Sequence, residues 1–584
     1  MSLDADMHTA VALHQRGDFA GAERAYANIL VAAPGFADAL HLRGVALSQL
    51  GRHEAAIALL QKAVAQMAGS AAVHHNLAKA LHAAGQLDAA EHSFKDALQR
   101  QPEFADAWGN LGNLYKQLKR RAPAIDCYQR SLRLRPGWFM ALNNLGNVLC
   151  DNKQAEKALP LLQQAVALKP DSADAHSNLG NALLDLQRPE EALAQYQQAL
   201  QQLPDSPEYH LNLGNAYNDM DRPQAAETAY RRSLELDGTR GRAWTNLGNA
   251  LEMQKRYAEA ESAYQTAIKQ APESPDAHFN LAVHHLAHGE FKQGWAGYEW
   301  GLKGAMRLPH RDFPQPRWQG EKQADETLLI YAEQGNGDTL QFLRYLPLAK
   351  AAHGGRLVLE CQQCLSPLLA SCAGPDEIVE RQNDGRIQPH FDRYVALMSL
   401  PHILGLGSDI PTPIPYLAPS EKASADTAWL ADAPGLKIGI AWTGNPLNKQ
   451  NRRRSCPLSA FAGIAALPGV QLYSLLFGKA NAELAEVDFP VTELALPWNE
   501  TAAAIQRLDL VISIDTAIAH LAGALGAPLW LLLPEPAEWR WQIGREDSPW
   551  YPQARLIRQT ESGDWGLVFE RLEAELVKLG YVEN

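Results

Sequence analysis

Small and apolar residues fall on a 34-residue beat through the first half of the chain. The small residues are Ala10, Gly44, Ala78, Gly112, Gly146, Gly180, Gly214, Gly248 and Ala282, with no insertion across nine repeats. Five repeats carry the run Asn-Leu-Gly-Asn at this point, at residues 110–113, 144–147, 178–181, 212–215 and 246–249. A second helical spacing follows in each unit, as in Ala192, Leu193, Tyr196, Ala199 and Leu200, and a turn such as Leu203-Pro204-Asp205-Ser206 closes it. Apolar positions spaced by three and four residues mark one helix face. The beat therefore predicts two amphipathic helices per repeat, with the small residue where they cross.

After Gly301 the beat stops, and the Pro-rich residues 309–320 read as a linker. Short apolar runs then alternate with helical spacing. Strands are expected at residues 327–332, 356–361, 377–380 and 393–397, and the Pro-rich residues 411–415 edge this first half. A second set lies at 437–442, 471–476, 510–514, 529–533 and 555–558. Helices are expected at 338–352, 458–467, 500–508 and 565–578. Continuous apolar strands between helices imply parallel sheets covered on both faces, and two such halves imply a ligand cleft between them. The expected domains are a repeat array over 1–304, a linker over 305–325, and two halves over 326–432 and 433–584.

The chemistry concentrates at residues 513–528, where an apolar strand runs through Ser513 into Asp515 and Thr516 and then a small-residue helix. Free N–H groups and the positive end of the dipole at that helix start favour a phosphate. His520 lies four residues after Thr516, on the same face. An Asp/Thr helix cap with a buried histidine fits the same residues. Composition narrows the field. A net charge of −13 argues against nucleic acid as a partner. No apolar run is long enough for a membrane span, and no leader pattern opens the chain, so a cytoplasmic protein is expected. Six scattered cysteines suit a reducing compartment, and the single Cys361-x-x-Cys364 pair is a weak signal for metal.

Two helices per 34 residues with a small residue at their crossing resemble tetratricopeptide repeats, which stack into a superhelix whose groove holds peptide. Asn76, Asn110, Asn144, Asn178, Asn212, Asn246 and Asn280 occupy one register and would form a ladder of amides for an acceptor backbone. That ladder resembles the one in O-GlcNAc transferase, while asparagine here also supports neighbouring turns in generic repeats. Trp108, Trp244 and Phe279 nearby are expected to pack between helices.

In the second half, Glu333-Gln334-Gly335-Asn336-Gly337-Asp338-Thr339 sits between a strand and a helix. It resembles the glycine-rich loop of lipopolysaccharide heptosyltransferases and of bacterial proteins that join tetratricopeptide repeats to a related two-domain module. Residues 513–528 resemble that group's donor-phosphate motif. The tail Trp539-Arg540-Trp541, with residues 544–552, matches the repeat-bearing branch, which includes enzymes thought to glycosylate flagellin.

The resemblance implies an α + α/β chain: a tetratricopeptide superhelix followed by a GT-B-like pair of Rossmann-like domains. It implies a metal-independent protein O-glycosyltransferase with no cofactor beyond its nucleotide-sugar co-substrate, and a protein acceptor, flagellin among the candidates. Asp338 matches the family's proposed base, and it also suits a helix cap. Ser513, Asp515, Thr516, Ala517 and His520 match the donor site, with Arg344 and Arg454 as supporting cations. The run Arg452–Arg454 could equally be a solvated surface. No Asp-x-Asp pair occurs in the second half; Asp4/Asp6 and Asp219/Asp221 fall in the repeats.

The chain departs from the family at several positions. Asn448 and Asn451 replace a frequent His and Asp, and Leu476-Phe477 replace Gln-Lys. Asn336 replaces an apolar residue and Glu535 an aromatic one. Lost cations near the phosphates suit a single-phosphate donor such as a CMP-linked nonulosonic acid. They also motivate a rival reading, a degenerate fold kept as a protein-binding scaffold. A glycolipid transferase is the third reading, against which the long repeat groove argues.

Overall fold

The computed structural model describes residues 3–304, 306–309, 311, 313–382, 390–407, 409–411, 413–446 and 451–578. It divides into two compact units, Met1–Gln254 and Lys255–Asn584.

Helices keep the 34-residue beat. First helices start at Ala37, Ala71, Ala105 and so on to Pro275, and second helices at Phe19, His53, Leu87 and so on to Phe291. The small residues work as expected. A Cβ at Gly112, Gly180 or Gly214 would lie 2.7, 2.5 or 2.4 Å from the ring of Tyr128, Tyr196 or Tyr230. The second Asn of the run then accepts from the tyrosine hydroxyl: Asn113 at 2.7 Å, Asn181 at 2.7 Å and Asn215 at 3.0 Å. In these three repeats Asn-Leu-Gly-Asn is thus a device for docking a tyrosine of the next helix and satisfying its buried hydroxyl, whereas Gly146 faces Leu162 and Asn147 donates to Asn178 instead. Ser172 and Ser206 cap first helices by accepting from Ala175 and Tyr209 N–H groups. The turn inside each unit needs a left-handed residue, supplied by Gly17, Gly51, Gly85, Lys119, Lys153, Gln187 and Asp221 in the first unit.

The beat runs on to Tyr298, but the compact unit changes at Gln254, inside the array expected to end at 304. The cause is aromatic packing within the second unit. Trp295 meets Phe342, Trp539 and Trp550 at 5.9, 5.5 and 6.4 Å, so the last helices belong to the core of the sheets.

That core holds two parallel sheets. The first contains β1 (Thr327–Tyr331), β2 (Arg356–Cys361), β3 (Glu377–Glu380) and β4 (Arg393–Ala396), in the order β3-β2-β1-β4. The second contains β5 (Leu436–Ala441), β6 (Val470–Ser474), β7 (Val491–Glu493), β8 (Leu510–Ile514), β9 (Leu529–Leu533) and β10 (Ala554–Arg558), ordered β10-β9-β8-β5-β6-β7. Every residue of β8 and β9 is buried, as continuous apolar runs predict. The short, half-exposed β7 carries no such run and was invisible to that pattern.

The expected helix over 338–352 is broken into Asn336–Phe342, a 3₁₀ turn Leu343–Tyr345, and Leu346–His353. Pro347 explains the break, since it has no N–H and its ring clashes with the carbonyl four residues back. Likewise 458–467 splits into Leu458–Phe461 and Ala462–Ala465. Among the described residues no helix is long and apolar enough to cross a membrane.

Candidate functional site

In the second sheet the chain steps from β5 outward to β6 and β7, then returns to lay β8, β9 and β10 on the other side. The carboxyl ends of β5 and β8 therefore flank a topological switch point, where open parallel sheets leave a crevice for ligand.

The β5 side is built by Asn451. Its Oδ1 accepts from the Gly444 N–H at 2.9 Å, and its Nδ2 donates to Thr443 Oγ1 at 3.3 Å. Arg454 Nε donates to the same Oδ1 at 3.4 Å, drawing the arginine over the loop. A Cβ at Gly444 would stand 2.8 Å from Arg454 Nη2, so only glycine lets the guanidinium in so closely. Asn451, one of the two asparagines that depart from the resemblance, is thus the residue that shapes this wall. Asn448, the other, lies outside the described residues.

The β8 side ends in Ser513, Asp515 and Thr516. Ser513 Oγ donates to the Ile514 carbonyl at 2.7 Å and lies 3.2 Å from Thr516 Oγ1. Thr516 caps the helix Ala517–Leu525, yet its side chain accepts no hydrogen bond from that helix. His520 Nδ1 pairs with the Tyr551 hydroxyl at 2.9 Å, its ring stacks on Trp541 at 5.4 Å, and Nε2 is 3.9 Å from Asp515. Burial first, then Arg540, Arg344 and Arg454, holds this imidazole well below its usual range, so it is neutral at pH 7. Burial pushes the Asp515 carboxyl up, against Arg454 and Arg540.

The glycine loop of the first half comes to the same place. A Cβ on Gly337 would be 2.8 Å from His520 Cδ2 and 3.3 Å from Ala517 Cα, so loop and helix start are in backbone contact. Asp338 follows. One of its oxygens accepts from the Gly335 N–H at 3.0 Å, the capping bond expected for an early helical aspartate. The other pairs with Arg540, whose remaining donors go to Glu538 and, at 2.6 Å, to Gln341. Arg540 is 7% exposed and packs over Trp539 at 4.4 Å. Glu538 keeps 37% of its side-chain surface, but crowding by protein still lifts it to about 7. Desolvation outweighs Arg540, and the neighbouring Asp515 and Asp338 add to the rise.

Asp338, Ser513, Asp515, Thr516, Ala517, His520 and Arg454 are therefore neighbours. Arg344 is not a cleft cation. It is 2% exposed and donates to the carbonyls of Gln341, Pro411 and Trp550 and to the Tyr416 hydroxyl. Its charge rests among the Tyr416, Trp550 and Tyr551 rings, which makes it an internal strut. Leu476 is buried, and Phe477 meets Trp498 at 5.6 Å. Asn336 donates to Cys364 Sγ at 3.4 Å, and Glu535 lies 3.4 Å from the Lys255 ammonium. Arg540 and Tyr551, expected only as marks of the resemblance, and Glu538 and Gln341 join the site without having been expected there. The one signal available was a charged residue between two tryptophans, Trp539 and Trp541.

In the repeats, the Asn register differs from a free ladder. Asn76 and Asn110 pair with His41 and His75 at 2.8 and 2.9 Å. Asn144, Asn178, Asn212 and Asn246 donate to Asn113, Asn143, Ser177 and Asn215 at 2.9, 3.0, 3.2 and 2.8 Å. One N–H of each amide is thus spent on the preceding repeat, because stacking brings positions 31 or 35 residues apart together. Asn212 is only 7% exposed; Asn280, in the second unit, is half-buried. The indoles of Trp108 and Trp244 donate to the carbonyls of Pro102 and Gly238 at 2.8 and 2.9 Å, bracing the preceding turns.

Tetratricopeptide-repeat models match residues 143–207, 211–275 and 254–293, residues 105–137, and residues 13–80 and 47–92. The chain therefore carries tetratricopeptide repeats followed by a region of parallel sheets. Protein FlbA of Caulobacter vibrioides is 28% identical over 343 residues, covering 53% of this chain and 57% of FlbA. The chain thus spans little more than half the length of that relative. Among solved structures, the APC/C hetero-tetramer Cut9-Hcn1 is similar at 19% identity and a TM-score of 0.38, over 47% of this chain and 54% of that one. YrrB, a TPR protein with an unusual peptide-binding site, is similar at 25% identity and a TM-score of 0.29, over 32% and 95%. MamA of Desulfovibrio magneticus RS-1 follows at 26% identity and a TM-score of 0.27, over 29% and 94%.

Proposed function

We propose that the chain is a GT-B-type glycosyltransferase that moves a sugar from a nucleotide donor to a hydroxyl of a protein acceptor carried by the repeats. The observation that carries this reading is the contact of Gly337 with Ala517 and His520, which joins a candidate base to a helix N-terminus at a switch point. In the reaction, Asp338 takes the acceptor proton as that oxygen bonds to the anomeric carbon. The bond from carbon to phosphate oxygen breaks, and its electron pair leaves with the nucleotide. The N–H groups at the start of the helix Ala517–Leu525, the Thr516 hydroxyl and Arg454 oppose the charge on the leaving phosphate. Neutral His520 contributes a hydrogen bond and no charge. Arg540 fixes Asp338, and the acceptor hydroxyl must compete with it. With Arg344 internal, few cations remain for a diphosphate, which favours a donor with one phosphate. In the repeats, the second amide N–H groups of the Asn register, and its Oδ1 atoms other than those of Asn144 and Asn178, which accept from Lys116 and Asn147, are the groups offered to acceptor backbone.

A non-catalytic scaffold is favoured by one observation: Arg540 already balances Asp338 and Glu538. Calorimetry of the full chain against UDP-, GDP-, ADP- and CMP-sugars separates the two, since a scaffold binds none. Incubation of a binding donor with candidate acceptors, flagellin included, is then read by intact mass. Transfer that survives unchanged in Asp338→Ala sinks the assignment of the base.

A further inference from the structure

A cavity of about 490 Å³, which shares no lining residue with the site described above, lies between the helix Trp300–Lys303 and the β1–β4 edge of the first sheet. Tyr331 and Tyr394 form its floor, and Lys303, Arg311 and Arg317 enter its wall against one carboxylate, Glu299. Arg317 is committed to Glu299. The other two cations are not fully used. Arg311 is 90% buried by its own side-chain exposure of 10%, donates one Nη2 bond to Glu360 at 2.5 Å, and leaves Nη1 buried without a hydrogen-bond partner. Lys303 is exposed and rests its ammonium 3.6 Å above the Trp300 ring, with no carboxylate partner among the described residues.

An orphaned buried N–H on a guanidinium loses its hydration with nothing in return, so it is rarely left unless something else meets it. The charge balance says what that something is. Among the described residues the lining carries three cations, Lys303, Arg311 and Arg317, against the one carboxylate of Glu299, on a chain of net charge −13. Behind it, Glu360 is shared between Arg311 and Arg381, the latter at 3.5 Å, so the excess is not cancelled from below. Burial also pushes the Glu360 carboxyl up, against Arg311 and Arg381, which weakens its claim on Arg311. An excess of two charges matches a phosphate dianion, and a planar fork and an ammonium that line one cavity are a phosphate-binding pair. The volume falls in the range of small-molecule sites, and the tyrosine floor gives an attached organic body an apolar surface.

We infer that this cavity binds a phosphate monoester of mononucleotide or sugar-phosphate size, held by Lys303 and Arg311 over Tyr331 and Tyr394. The site is independent of the transferase reading and is tested without it. Full-length protein is titrated at low salt with phenyl phosphate, AMP, glucose 6-phosphate and benzoate, by calorimetry. Sub-millimolar binding of at least one monoester is expected, weakening with salt, with benzoate at least tenfold weaker. Lys303→Glu should weaken the monoester at least tenfold with an unchanged melting temperature, because Lys303 is exposed and has no carboxylate partner among the described residues. Thr516→Val should leave binding unchanged. The proposal fails if no monoester binds, if Lys303→Glu binds like the parent, or if Thr516→Val abolishes binding, which would put the ligand in the cleft. AMP against glucose 6-phosphate then separates a nucleotide from a sugar source.

Discussion

Gly337→Ala is the most direct probe of the cleft. The new methyl would stand 2.8 Å from His520 Cδ2 and 3.3 Å from Ala517 Cα. Neither can retreat easily. The imidazole is held at Nδ1 by Tyr551 and across its face by Trp541, and Ala517 Cα is backbone at a helix start. Overpacking of this kind costs about 1–3 kcal/mol. Gly337 lies inside a helix with ordinary φ, so alanine also recovers up to about 1 kcal/mol of helix propensity. The net expectation is a loss of about 0.5–2 kcal/mol, or roughly 1–3 °C for a unit of this size. The control is Gly335→Ala, whose methyl would meet only Asp338 Oδ2 at 3.4 Å and should stay within about 0.5 kcal/mol. Urea unfolding of both variants is followed by tryptophan fluorescence, since Trp295, Trp541 and Trp550 report on this core. Donor affinity, measured alongside, should fall about tenfold, the equivalent of 1.4 kcal/mol. A Gly337→Ala protein with the parental midpoint and parental affinity would refute the claim that loop and helix start form one site.

Three further outcomes follow from the same geometry. Arg540→Met leaves Asp338 and Glu538 without their shared counter-charge, and should cost about 2–3 kcal/mol, below the fully buried case because both carboxylates keep some solvent; adding Glu538→Gln should restore part of it in the same unfolding assay. Glu538 and His520 should give opposite pH slopes. A carboxyl raised to about 7 binds its proton more tightly folded than unfolded, so its contribution falls as pH rises from about 4.5 to 7. A histidine lowered well below 6.5 costs stability as pH falls through 6.5, where the unfolded ring charges first. Glu538→Gln should flatten the first slope and His520→Gln the second, each read from melting temperature between pH 4.5 and 8. In the repeats, Lys119 sits exposed at φ 56° where three other repeats of the first unit use glycine. Lys119→Gly should stabilise by about 0.5–1 kcal/mol, the relief of a left-handed residue less the extra freedom of the unfolded chain; a lower melting temperature would contradict this.

The repeat half was legible because its signals are local. Each Gly that admits a tyrosine and each Asn that takes its hydroxyl recur at fixed spacing, so the packing rule is written into the period. The amide register shows the limit of that legibility. Asn144 and Asn178 read as groups free for a ligand, but stacking places Asn113 and Asn143 within reach, and a period alone does not say which partner an amide chooses.

The cleft divides along the same line. Thr516 and Asp338 could be found because each stands at a strand-to-helix turn, and such turns carry unsatisfied N–H groups wherever they occur. Arg344 and Arg540 could not be told apart by such means. Both are arginines flanked by apolar residues, and both are almost fully buried. Their roles are set by partners far along the chain: Trp550 lies 206 residues from Arg344, and Asp338 lies 202 from Arg540. Arg344 meets carbonyls and ring faces, which absorb its donors and leave a strut. Arg540 meets two carboxylates, which keeps it beside Asp338. Charge in a protein interior takes its meaning from the counter-charge beside it. Only the fold, by bringing Gly337 against His520, decides that Asp338 and Glu538 share one guanidinium and that Arg344 has none to offer.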